Sequence, residues 1–291
     1  NDAHVTAVSD PFPTILKGVP LRIKTVNLSL NRPDFIVNPT SCNAMQIGAS
    51  ITSVNGSTAS TSSPFAVGGC GSLPFFPSLA LKLTGKGQTR SGKHPTLNAT
   101  LKVGSGQANV SSAKVILPLS LALDPNNTKV VCSVAAAAAI NCPANTIVGS
   151  VTATSPLLPD PLKGNVYLVQ GIRTNKQGQQ IKTLPSLLVP LKGDVDLNLH
   201  AQTSVSGGRL VSTFSPVPDA AVSNFQLTIN GGKKGILVVT GRGRSICKGS
   251  QVASGDLTAH SGKVEDLSVK MGRSACGATK HSKKSKAHHK S

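Results

Sequence analysis

Six cysteines carry the strongest chemical signal in this chain. They fall as neighbours along the sequence: Cys42 with Cys70, Cys132 with Cys142, and Cys247 with Cys276. An even count in local pairs reads as a disulfide framework, one choice among fifteen connectivities. Disulfides in turn imply an oxidising compartment. Metal ligation is the competing chemistry, but no C-x-x-C occurs and no histidine stands near a cysteine pair at finger spacing. The histidines His4, His94, His200, His260, His281, His288 and His289 form neither HExxH nor a tight pair in the body of the chain. No metal and no cofactor are expected.

The acids are equally sparse. Asp194 and Asp196 in KGDVDLNL stand two apart, which would put them on one face of a strand. Calcium needs several more oxygens than these supply, so they read as a solvated sheet face. KVGSGQ (Lys102 to Gln107) and GRGRS (Gly241 to Ser245) are glycine turns that match no phosphate-binding loop. No GxSxG elbow occurs. Of eleven acids only Glu265 is a glutamate, so glycosidase-type carboxylate pairs are scarce. No catalytic residue is assigned, and the chain is not expected to be an enzyme.

The formal charge is +19. The tail KHSKKSKAHHKS supplies Lys280, Lys283, Lys284, Lys286 and Lys290 without an acid, and more basic residues are spread over the body. The tail has no apolar periodicity and is expected to be disordered in isolation. Such a field attracts polyanions, and the tail lysines are the candidate contacts. RNA-type stacking platforms need aromatics, and aromatics make up only 3% of residues. Specific nucleic-acid binding is therefore not expected; outside a cell an anionic cell-wall polymer or glycan is the better match.

The elements that would carry these residues are strands. Hydrophobic residues reach 38%, but there is no Trp, one Tyr and seven Phe, so Val, Leu, Ile and Ala must build the core. LRIKTVNLSL (Leu21 to Leu30) alternates, as do LALKLTG (Leu79 to Gly85), TLNATLKV (Thr96 to Val103) and NVSSAKVILP (Asn109 to Pro118). Strands at Gln46 to Val54 and Phe65 to Val67 would flank Asn55-Gly56, a hairpin signal. GNVYLVQ (Gly164 to Gln170) reads as a strand in the second half. One internal echo stands out. HPTLNATLKVGSGQANVSSAKVILP and GGRLVSTFSPVPDAAVSNFQLTINGG both run strand, loop, strand, with Val-Ser closing each loop at Val110-Ser111 and Val222-Ser223. The run AAAAA between Cys132 and Cys142 predicts a helix of about ten residues, capped at Asn127 or Thr128 and stopped by Pro143. A disulfide would staple it, since so short a helix is marginal alone.

Several stretches together resemble a group of secreted or surface proteins of actinobacteria. They are NPTSC (Asn38 to Cys42), SSPFAVGGCGSLPFFPSL (Ser62 to Leu79), CPANTIVGSVTATSPLLPDPLKGNVYL (Cys142 to Leu168), FSPVPDAAVSNFQLTINGGKKGILV (Phe214 to Val238) and ICKGSQVASGDLTAHSGK (Ile246 to Lys263). The resemblance spans Phe35 to Cys276 and implies an exported β-rich chain, with no activity attached.

The expected fold class is all-β: β-sandwich-like domains, two on this division, joined by a short disulfide-stapled alanine-rich helix. Residues 1–20 would be an arm, 21–125 and 146–276 the two β domains, 126–145 the helical connector, and 277–291 the basic tail. No run of apolar residues is long enough to span a membrane. The start NDAHVTAVSD lacks the features of a leader and suits a mature secreted chain. The expected function is that of an extracellular structural or surface-associated protein, self-assembling into a filament or surface layer through strand pairing with copies of itself. The alternative is a monomeric module binding anionic cell-wall polymer or glycan, and a secreted enzyme of unidentified class is the lesser one.

Overall fold

Alternation of aliphatic and short polar residues gives each strand one apolar face. In SLALKLT it aligns Leu79, Leu81 and Leu83, and the last two are buried. The computed structural model describes residues 6–29, 37–241 and 246–276. Two hairpins come first: β1 (Ile15–Leu16) with β2 (Val19–Pro20), and β3 (Met45–Thr52) with β4 (Thr58–Phe65). Asn55-Gly56 lies in the turn of the second, with Gly56 at φ 82°. Then follow β5 (Ser78–Thr84), β6 (Thr96–Lys102), β7 (Val110–Ile116) and the short β8 (Leu121–Leu123). Helix α1 (Val134–Ala138) precedes β9 (Ile147–Thr154) and β10 (Leu162–Val169). An exposed hairpin of β11 (Ile172–Thr174) and β12 (Gln180–Lys182) leads to β13 (Ser186–Leu191), β14 (Leu197–Ser206), β15 (Arg209–Phe214) and β16 (Asn224–Ile229). The last strands are β17 (Leu237–Val239), β18 (Val252–Ala259), β19 (Val264–Lys270) and β20 (Gly272–Arg273).

Twelve of these strands form one sheet, in the order β19-β18-β7-β15-β14-β13-β10-β9-β16-β6-β5-β20. Its two ends meet. β20 follows β19 after Met271 alone and pairs in parallel with β5, Gly272 opposite Lys82 and Arg273 opposite Leu83. The sheet is thus a nearly closed barrel, and the edges that an open sheet exposes are largely consumed.

The large sheet draws on both 21–125 and 146–276. β6 pairs with β16 and β7 pairs with both β15 and β18, so strands from the two halves interleave in one ladder system. Inside-outside alternation is the same in a sandwich and in a barrel; register and strand order decide between them. Residues 21–29, expected as part of a strand, carry no ladder and lie exposed. Asp194 and Asp196 sit in the exposed bend between β13 and β14, not on a strand face.

The alanine helix is shorter than expected. It has five residues, and Ser133 caps it by accepting the amide N–H of Ala136 at 3.2 Å. Asn127 is engaged elsewhere, donating to the carbonyls of Lys233 and Gly235. Ile140, at φ 53°, ends the turn. Cys132 and Cys142 are bonded to each other. Together with Ala137, Cys132 packs against Val169 and Leu188, whose side chains belong to a separate cluster from the main interior.

Candidate functional site: an apolar lumen beneath two straps

Barrels of about eight strands are just wide enough for side chains to fill. This one has more strands and almost no aromatics to fill it, and several inward positions are small: Ala99, Ala113 and Ala153. A cavity of 170 Å³ remains. Leu79, Leu97, Leu187, Leu199 and Leu227 are among its lining residues, which come from strands all round the barrel. Among the described residues no charged residue lines it, and its only polar side chains are Asn109, Thr203 and Ser212. The Thr203 hydroxyl donates to the Pro185 carbonyl and Asn109 is also engaged, so little polar character faces the space.

One end of the lumen is plugged. β8 pairs with β17 apart from the main sheet, and Leu121, Ile236, Leu237, Val239 and Ile246 are buried there. Asp124, just after β8, fastens this end. Its carboxylate accepts the N–H of Asn126 at 2.8 Å and faces His94 Nε2 at 2.7 Å. A carboxylate can only accept, so His94 Nε2 carries the proton. The Asn126 amide first, then His94, hold the Asp124 carboxyl below its ordinary value.

The other end is roofed by two connections. β15 and β16 have β14, β13, β10 and β9 between them, which puts them on opposite walls. The link between them, residues 215–223, must therefore cross the mouth. Val217, Pro218, Ala220 and Val222 from this strap line the lumen. Residues 103–109, joining β6 to β7, lie alongside. The Val103 N–H donates to the Ser223 carbonyl at 3.1 Å, and the Val217 N–H to the Ser111 carbonyl at 2.9 Å. These two straps are the loops of the sequence echo.

Asp219 latches the roof. Its Oδ2 accepts the backbone N–H groups of Thr40 and Ser41 at 2.8 and 2.9 Å. Its Oδ1 accepts the Thr40 hydroxyl at 2.7 Å and the Asn109 amide at 2.8 Å. His260 Nε2 lies 2.9 Å from the Val217 carbonyl, which fixes Nε2 as the protonated nitrogen, and Nδ1 stands 3.9 Å from Asp219. Thr40 and Ser41 are held near the barrel by the adjoining Cys42–Cys70 bond.

The cysteines pair as Cys42–Cys70, Cys132–Cys142 and Cys247–Cys276. The tail lysines Lys280, Lys283, Lys284, Lys286 and Lys290 lie outside the described residues, as does most of GRGRS. Asp196 pairs with Lys192 at 3.2 Å in solvent. Among the described residues no three His, Cys, Asp or Glu side chains gather as metal ligands. Sequence reading missed Asp219 and the lumen. The signal within reach was the echo, whose loops became the straps.

No family model matches the chain, and no curated protein does. Among solved structures, a DUF4466 family protein from Parabacteroides merdae aligns with 14% identity and a TM-score of 0.27. The alignment covers 67% of this chain and 44% of that one, so this chain spans under half of that protein's length.

Proposed function

We propose that the barrel takes up a small apolar molecule, of the size and shape of an aliphatic chain, and that the protein works outside the cell as its carrier or reservoir. One observation carries this reading: a lumen walled by Leu, Val, Ala and two Phe side chains, with no charged lining among the described residues. A site of this kind gains affinity from apolar surface leaving water, with a few polar groups setting orientation. Three disulfides favour an oxidising, extracellular setting. Among the described residues no helix is long and apolar enough to cross a membrane. The test is N-phenyl-1-naphthylamine, an uncharged dye that brightens out of water. It should bind the wild type, be displaced by 1-decanol, and fail to bind Ala99→Phe, which fills the lumen from β6.

A second reading keeps the surface-associated role, with copies of the chain joined through the arm. Ile15, Leu16 and Val19 of the arm are exposed, and among the described residues β3 and β4 pair only with each other, leaving outer edges open to strand addition. Electron microscopy of concentrated protein checks it: filaments or sheets support pairing, and uniform single particles count against it.

A further inference from the structure

The donor set around Asp219 is a carboxylate-binding site that the chain fills with its own side chain. Two successive backbone N–H groups, Thr40 and Ser41, form a small anion nest. The Thr40 hydroxyl and the Asn109 amide complete four donors on one carboxylate, all at 2.7–2.9 Å. The Thr40 oxygen is itself oriented by accepting the Asn109 backbone N–H at 3.0 Å. His260 stands behind, held by the Val217 carbonyl. Asp219 is the one member of this cluster on the 215–223 strap that meets the nest; the donors belong to the N-terminal segment and to the other strap.

The nest also adjoins the lumen. Asn109 both donates to Asp219 and lines the cavity, and Pro218 and Ala220, on either side of Asp219, line it too. Deeper in, the lumen offers no cation among the described residues, and its other polar side chains there are Thr203 and Ser212. A ligand with an acid group can therefore satisfy that group only at the roof.

We propose, resting on the lumen reading above, that the ligand is a single-chain carboxylic acid in its ionised form. Its chain lies in the lumen, and its carboxylate takes the place of Asp219 in the Thr40–Ser41–Asn109 nest as the 215–223 strap lifts. The exchange conserves charge in the nest, because one carboxylate leaves as another arrives. Asp219 is then a built-in competitor, which closes the roof when no acid is bound. At the opposite end, plugged by Leu121, Val239 and Ile246, Asp124 has its own donors in Asn126 and His94, but none of these three lines the lumen.

The experiment compares decanoate, 1-decanol and acetate on wild type and Asp219→Ala. In the wild type decanoate must displace Asp219, so decanoate and decanol should bind within a few-fold of each other. Asp219→Ala empties the nest, so decanoate affinity should rise to about tenfold above that of decanol, the worth of a charge-assisted contact, while decanol affinity stays put. Acetate should raise the melting temperature of Asp219→Ala and leave that of the wild type unchanged. Equal binding of decanoate and decanol by Asp219→Ala, or no acetate response in it, overturns the proposal. Should Asp219→Ala fail to fold, Asp219→Asn replaces it. That variant keeps a hydrogen-bond acceptor on the strap but drops its charge, and should raise decanoate affinity but not decanol affinity; no gain for decanoate contradicts the nest. If neither chain binds the wild type, the lumen reading falls and takes this proposal with it. If decanol binds and decanoate gains no advantage when Asp219 is replaced, only the proposal about the acid falls.

Discussion

Phe214 and Phe225 meet edge to face, ring centroids 6.4 Å apart and planes at 72°. Phe214 ends β15 and Phe225 belongs to β16, so the contact joins opposite walls of the barrel directly under the 215–223 strap. Both rings line the lumen. Replacing Phe214 with Ala should cost about 2 kcal/mol of stability, below the usual Phe→Ala loss because the ring is only half-buried. The same change should admit branched alcohols that the wild type rejects. Chemical denaturation and titration with 3,7-dimethyl-1-octanol check both parts, and an unchanged preference for straight chains would remove Phe214 from the gate.

Asp124 gives the plugged end a pH signature. Its carboxyl is held below the ordinary value of 3.8 by the Asn126 amide and by His94. A depressed folded value means the stabilisation is fully present above 3.8 and is lost as pH falls through the lower folded value. Asp124→Asn should therefore cost about 1–2 kcal/mol near neutrality, through the lost charged acceptor. The gap between variant and wild type should close under acid conditions. Urea titrations at pH 6 and pH 3 provide the measurement.

Strand crowding demands glycine at several positions, Gly149, Gly164 and Gly255 among them. A Cβ at Gly164 on β10 would come within 1.9 Å of the Pro190 carbonyl oxygen on β13. Gly164→Ala must push two paired strands apart and should lower stability by roughly 2–4 kcal/mol, at the upper end of single-substitution effects. Gly48 on β3 has no atom within 4 Å of a Cβ, so Gly48→Ala should leave the melting temperature within a degree or two. Thermal melts of the two variants separate the cases.

The disulfides should matter unequally. Cys247–Cys276 spans 29 residues and Cys132–Cys142 spans 10. Chain entropy alone makes the longer closure worth about 1 kcal/mol more. Cys276 also ends the short 3-10 turn Ser274–Cys276 that follows β20, and β20 closes the sheet against β5. The double Cys247→Ala/Cys276→Ala variant should melt lower than Cys132→Ala/Cys142→Ala, and the reverse order would place the closure of the barrel elsewhere.

The strands were legible because alternation survives in any β architecture. Leu79 to Gly85 and Thr96 to Val103 fall on β5 and β6 nearly residue for residue. Leu21 to Leu30 alternates as well, yet no neighbour in the described residues pairs with 21–29, so pattern alone did not make a strand. Closure was not legible. It depends on β20, a two-residue strand with Gly272 and Arg273 that carries no alternation to detect. The lumen was hidden for the same reason: Ala99 on β6 and Leu199 on β14 look like ordinary core residues until strand order places them around a common space. In SPVPDAAVS, Asp219 has no charged neighbour to mark it. Its donors come from Thr40, Ser41 and Asn109, distant in sequence, and no local spacing announces them.

The claim that the lumen is a binding site is tested most directly by calorimetric titration of the whole protein with 1-decanol. One decanol should bind per barrel, with a negative heat-capacity change as apolar surface leaves water, and Ala99→Phe should abolish the heat while keeping the fold. Heats that do not saturate, or a saturable site that survives Ala99→Phe unchanged, would contradict the account.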